Sequence, residues 1–166
     1  MPDTPVDLFI SYRRSDAAGH ARALYRDLCR RFDKQGIFFD RASIEAGAVF
    51  PERLREGVDA CRVLLALIAP GWLEAKDAAG RRRLDSADDF VRQEIAHALQ
   101  LGRKVIPVLF DDTPVPEAAQ LPAPLQGLAA CDALMLRGKN FEYEVQLDEL
   151  VRLLAAVPGM PAALAP

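Results

Sequence analysis

Cysteine is scarce in this 166-residue chain, and its three copies, Cys29, Cys61 and Cys131, lie far apart. An odd, dispersed set excludes a disulfide framework and lacks the close spacing of a zinc knuckle. Histidine is scarcer still, with only His20 and His97, which leaves few candidates for a histidine-based triad. No apolar run approaches the roughly 18 residues of a membrane span. The opening MPDTPVD has neither the basic nor the apolar region of a signal peptide. Neither sign of charge dominates: the net charge is −3 and the pI near 5.4. With no excess of basic residues to neutralise phosphates, a dedicated nucleic-acid binder is not expected. Also missing are G-x-G-x-x-G after a strand, G-x-x-x-x-G-K-[ST] and G-x-S-x-G. These absences predict a reduced, soluble, cytoplasmic domain with neither nucleic acid nor membrane as partner.

What is present is globular in balance, with 51% hydrophobic and 27% charged residues. The length suits a single domain that buries roughly 70% of the surface its unfolded chain exposes. Arginine far outnumbers lysine in an Ala- and Pro-rich chain, a composition that suggests a GC-rich bacterial genome.

Five short apolar, β-branched or aromatic runs read as strands: Val6 to Tyr12, Gly36 to Asp40, Arg62 to Ala69, Lys104 to Phe110 and Asp132 to Leu136. Helical spacing fills the gaps. Ala21, Leu24, Tyr25, Leu28 and Phe32 form one stripe, with Ser15 and Asp16 as cap candidates. Phe50, Leu54 and Val58 form a second behind Pro51, a residue at home in a helix's first turn. Val91, Ile95, Ala98 and Leu99 form a third, entered through Asp88 and Asp89 and ended by Gly102. Leu147, Leu150, Val151 and Leu154 form the last.

Regular alternation predicts an α/β fold with helices on both faces of the sheet. The third and fourth strands, VLLALIA and VIPVLF, are nearly continuous in apolar residues, as buried parallel strands are. Right-handed crossovers favour a doubly wound five-stranded parallel sheet in the order 2-1-3-4-5. Ligands in such sheets sit beyond the carboxyl ends of the strands, so Arg13–Asp16, Asp40–Gly47 and Pro70–Trp72 should border one crevice. The stretches Pro70 to Ala87 and Asp111 to Pro124 are longer than ordinary connections. Pro158 to Pro166 is Pro/Ala-rich with little to pack against. It reads as a linker after a domain spanning 1–157, leading to a fused sensor domain.

Three segments carry a family resemblance: DLFISYRRSD (Asp7–Asp16), FFDRASIEAGAVF (Phe39–Phe50) and DFVRQEIAHAL (Asp89–Leu99). With VIPVLF they resemble a Toll/interleukin-1 receptor (TIR) domain of the bacterial type, over roughly Asp7 to Val157. The resemblance independently implies a flavodoxin-like sheet. TIR domains divide into adaptors that bind other TIR domains and enzymes that cleave NAD at its glycosidic bond. In the enzymes, W-x-x-x-E begins the third helix and its glutamate is catalytic. Here the frame reads Phe90-Val91-Arg92-Gln93-Glu94, which keeps the carboxylate and replaces the indole by a phenyl ring. Trp72-Leu73-Glu74 has the wrong spacing and is a decoy.

One carboxylate suffices for that reaction. Glycosidases use two because an alkoxide leaving group must be protonated while the oxocarbenium ion is stabilised. Nicotinamide carries a positive ring nitrogen in NAD and departs neutral, so no general acid is needed. There remains the placing of a negative charge beside the developing cation, a role for Glu94. Its bland alternative is a solvated helix glutamate.

The other candidates carry alternatives of their own. Arg13 and Arg14 would bind pyrophosphate at a helix N-terminus, or pair with Asp40 or Glu45 to hold loops. Tyr12 packs on the sheet edge or stacks on a base. Trp72 stacks on a substrate ring or caps the core. The resemblance makes the loop containing Asp40, Ile44, Glu45 and Gly47 a BB loop, which covers the site and contacts a neighbouring TIR domain. Glu94 and His97 form one E-x-x-H pair, where a di-iron bundle needs two and further glutamates, so no metal is expected. The expected function is NAD glycohydrolysis in bacterial defence, activated by homo-oligomerisation, with NAD as substrate and no cofactor. A non-enzymatic TIR adaptor and a nucleoside deoxyribosyltransferase-like hydrolase are the alternatives.

Overall fold

The computed structural model describes residues 6–39, 52–138 and 141–165. Within them, five strands alternate with four α-helices. The strands are β1 (Leu8–Ser11), β2 (Ile37–Phe38), β3 (Val63–Ile68), β4 (Lys104–Phe110) and β5 (Leu134–Leu136). The helices are α1 (Arg14–Leu28), α2 (Glu52–Ala60), α3 (Phe90–Gln100) and α4 (Phe141–Ala155). The sheet order is β2-β1-β3-β4-β5, and all four pairings are parallel. This is the doubly wound order expected from the alternation of patterns.

The period of two along each strand sorts one sheet into two cores. Leu8, Ile10, Leu65, Leu67, Ile106 and Val108 face α1 and α4, where Ala21, Leu24, Leu28, Leu150 and Leu154 are fully buried. Phe9, Leu64, Ala66, Ile68, Val105 and Leu109 face α2 and α3, meeting Leu54, Val58, Val91, Ile95 and Ala98. The Pro-rich stretch after β4 contributes Leu121, Leu125 and Leu128 to the second core through short 3₁₀ turns. That long connection is therefore packed rather than loose.

Two boundary expectations change. Helix α1 starts at Arg14, and its N-cap, Arg13, makes no side-chain cap bond. Ser15 and Asp16 thus lie inside the first turn instead of preceding it. The tail expected to have little to pack against does pack. Met160 and Ala163 lie on the α1/α4 core, and Leu164 exchanges two hydrogen bonds with Arg31, at 2.8 and 2.7 Å. Gly159 has φ +85°, and a Cβ there would run into the Arg62 guanidinium. Among the described residues no helix is long and apolar enough to cross a membrane.

Candidate functional site

Buried polar side chains gather at the carboxyl ends of β1 and β3. Among the described residues the buried polar or charged ones are Ser11, Arg13 and Glu94, at 1%, 2% and 7% exposure. Each reaches this edge through a different local rule. Ser11 ends β1, paired in register with Ala66 of β3. Arg13 follows two residues on, at the junction with α1. Glu94 belongs to the buried stripe of α3, Val91, Glu94, Ile95 and Ala98, whose spacing is that of one helix face. A carboxylate in a stripe otherwise made of Val, Ile and Ala carries a desolvation cost that a surface glutamate does not.

Helix α3 is anchored by a bidentate ion pair. Arg13 Nη1 and Nη2 donate to Asp89 Oδ1 and Oδ2 at 2.8 and 3.0 Å, with side-chain exposures of 2% and 9%. Asp89 is also the N-cap of α3, its Oδ2 accepting from the Arg92 backbone N–H at 3.0 Å. Arg92 reaches back to the Leu84 carbonyl at 3.0 Å. One arginine at the end of β1 thus holds the first turn of the helix that carries Glu94. A fork-to-fork pair of this kind fixes orientation as well as distance.

The placement of Arg13 corrects its expected roles. Its terminal nitrogens belong to Asp89, so they are not presented to a pyrophosphate, while Asp40 and Glu45 lie outside the described residues. Sequence reading missed the pair because 76 residues separate its members. In the sequence Asp89 reads only as an entry to α3.

Trp72 requires a second correction. It is 1% exposed and belongs to the core beneath α2 and α3, so it caps the core and offers no ring face to a substrate. It sits in the turn after β3, where its backbone N–H donates to the Ala69 carbonyl at 3.0 Å behind Gly71 at φ +93°. Tyr12 packs at the sheet edge, its ring centroid 5.3 Å from that of Phe39, which in turn stacks on Tyr25 at 4.6 Å. Arg14 is exposed at the first position of α1, and Phe90, half-buried, is the first residue of α3. Glu74 is exposed in the turn after Trp72. Asp40, Ile44, Glu45 and Gly47, together with Phe50 and Pro51, lie outside the described residues.

Further burials and partnerships went unread in the sequence. Asp16 lies in the first turn of α1, and its two carboxylate oxygens are shielded from solvent without a hydrogen-bond partner. Burial pushes its carboxyl up to about 6, against the smaller opposing pulls of the Arg13 charge, its own backbone amide and the Arg83 charge. Ser11 Oγ and Arg13 Nε are likewise buried without partners. Beyond β4, Asp111 and Asp112 take left-handed backbone angles, φ 53° and 58°. They are braced by His20 at 2.9 Å and Arg137 at 2.8 Å. His97 pairs with Asp59 of α2 at 2.5 Å, so it serves as a brace between helices. The Cys61 thiol donates to the Val58 carbonyl, and burial pushes it up to about 11, which makes it an inert core group.

A five-stranded parallel sheet in the order β2-β1-β3-β4-β5, with helices on both faces, defines the flavodoxin-like, doubly wound α/β class of domains. Within that class the family is explicit. The model described as "TIR domain" matches residues 8–151, and this chain belongs to the TIR-domain family. The curated relative "NAD(+) hydrolase sarm1" of Drosophila melanogaster is 27% identical over 175 aligned residues, covering 96% of this chain. The chain spans only 12% of that relative's length. Among solved structures, the TIR domains of the activated Roq1 resistosome recognising the effector XopQ superpose with a TM-score of 0.61. That match covers 88% of this chain and 97% of the other at 15% identity, a likeness of fold.

Proposed function

We propose that this TIR domain is an NAD glycohydrolase that releases nicotinamide and leaves ADP-ribose or its cyclic form. Glu94 is the catalytic residue, and the carrying observation is its burial, at 7% exposure, within the apolar stripe of α3. Glutamate is almost never buried so deep unless it is paired, and this one sits just beyond a helix end clamped to the strand edge. The similarity to a curated NAD(+) hydrolase supports the reading. A negative charge held beside C1 of the nicotinamide ribose stabilises the oxocarbenium-like transition state, while neutral nicotinamide departs unaided. Phe90 supplies an aromatic wall at the helix start, and Arg14 the exposed cation nearest the α1 N-terminus. NAD is the substrate and no further cofactor is needed.

In this reading the domain acts in the cytoplasm of a bacterium as a defence effector. Copies assemble through the loop containing Ile44, Glu45 and Gly47, and a fused sensor supplies the trigger. The test is fluorescence release from an ethenylated NAD analogue by concentrated or crowded protein. Cleavage whose rate per molecule rises with concentration is expected; no cleavage under any condition would hand the domain to the adaptor reading. One observation favours that second reading. Phe141 and Val145, one turn apart on α4, are 78% and 50% exposed, the kind of apolar pair a protein partner covers.

A further inference from the structure

Arg13 spends Nη1 and Nη2 on Asp89 and keeps Nε buried without a partner. Close by, Asp16 keeps both carboxylate oxygens shielded and unpartnered. Buried polar groups are nearly always hydrogen-bonded, so a donor and two acceptors left unused in one place call for a physical reason. Structural carboxylates at helix starts normally accept backbone N–H groups, as Asp89 does from Arg92. Neither Asp16 oxygen accepts a bond of good geometry, and its own backbone amide exerts only a minor pull.

We propose that Asp16 is a proton-responsive positioning residue, which competes with Asp89 for Arg13 and so sets how firmly the start of α3, and with it Glu94, is held. When Asp16 is protonated it carries no charge, and the guanidinium belongs wholly to Asp89. When Asp16 is ionised, its carboxylate draws on the free Nε of Arg13 and loosens the bidentate pair. The groups that face it support this sharing. Arg13 acts from the β1–α1 junction and Arg83 from the 3₁₀ turn before α3, both close enough for their charge to favour the ionised form. Asp89 is the other carboxylate that Arg13 serves, through Nη1 and Nη2. From β1, Ser11 contributes a neutral, unpartnered hydroxyl. From the turn after β3, Gly71 packs so near that a Cβ there would lie 3.9 Å from Asp16 Oδ2. Burial leaves the carboxyl poised near 6, between the two states under ordinary conditions. The consequence for catalysis rests on the NAD-cleaving reading; the coupling between Asp16 and α3 does not.

The experiment is a pH titration of the whole chain by NMR, following the side-chain carboxyl carbon of Asp16 and the backbone amide of Arg92. The expected result is one shared midpoint near pH 6, with the Arg92 shift lost in Asp16→Asn. Asp16→Ser serves the same purpose should the asparagine variant fail to fold. An Asp16 midpoint in the ordinary carboxylate range overturns the proposal. So does an Arg92 amide that ignores the titration of Asp16, or one that keeps its midpoint in the variants. In parallel, the kcat profile for NAD should lose an inflection near pH 6 in Asp16→Asn, with KM little changed. If no NAD is cleaved at all, the functional reading fails while the NMR arm still decides this one.

Discussion

The two ends of the sheet are built on different terms. At the amino ends of the strands, each ion pair keeps one partner open to solvent and is satisfied. Arg62 Nε bonds Asp7 at 3.1 Å with 44% of its side chain in solvent. Arg31 bonds Asp148 and the Leu164 carbonyl, and the tail lies across this end. At the carboxyl ends charge is buried, and part of it is unsatisfied: Ser11, Arg13 and Asp16 all hold polar atoms without partners. A fold that needed only stability would place its ion pairs as the amino end does, where desolvation is small. Concentrating buried polar atoms at the strand ends, where open sheets bind ligands, is the pattern of a working site whose cost is carried by the two apolar cores.

The contrast between the two ends is largest at Arg13. Arg13→Ala leaves Asp89 buried and uncompensated, so stability should fall by about 3–5 kcal/mol. For a chain of this size that lowers Tm by roughly 6–20 °C in a thermal melt. Glu94→Gln comes next, and it acts on rate. Losing one preorganised charge costs about 3 kcal/mol in the barrier, roughly a hundredfold in kcat for NAD, with the melt little changed. Glu94→Gln that cleaves NAD at the wild-type rate removes Glu94 from the chemistry.

Asp16 makes the contrast depend on pH. Its carboxyl rises from 3.8 to about 6 on folding, so the folded chain binds that proton more tightly than the unfolded one. The associated stability is fully present below about pH 4 and is lost as pH rises through 6. The difference in Tm between wild type and Asp16→Asn should therefore shift across that window and level off above it. A difference that stays constant from pH 4 to 7 contradicts the burial argument. At the other end of the sheet, Arg62→Ala should cost less than about 1 kcal/mol, because the pair with Asp7 is solvent-screened. Smallest of all, Glu74→Gln should change stability by about 0.5 kcal/mol at most and leave any NAD cleavage intact. A larger loss there would move the site toward Trp72.

Sequence determined the architecture, because the signals for it are local. Strand periodicity, helix stripes, Gly102 after α3 and Asp89 before it are read within a few residues. Alternation with right-handed crossovers leaves few sheet orders to choose from. Glu94 was legible too, as the carboxylate of a family frame, though not its depth. What only the tertiary structure decided are the relations between distant segments: Arg13 with Asp89 across 76 residues, Trp72 as core instead of stacking platform, and the packed tail. Burial and partnership are properties of surfaces brought together by folding. An arginine beside a helix start therefore reads the same in sequence whether it awaits a phosphate or already holds an aspartate.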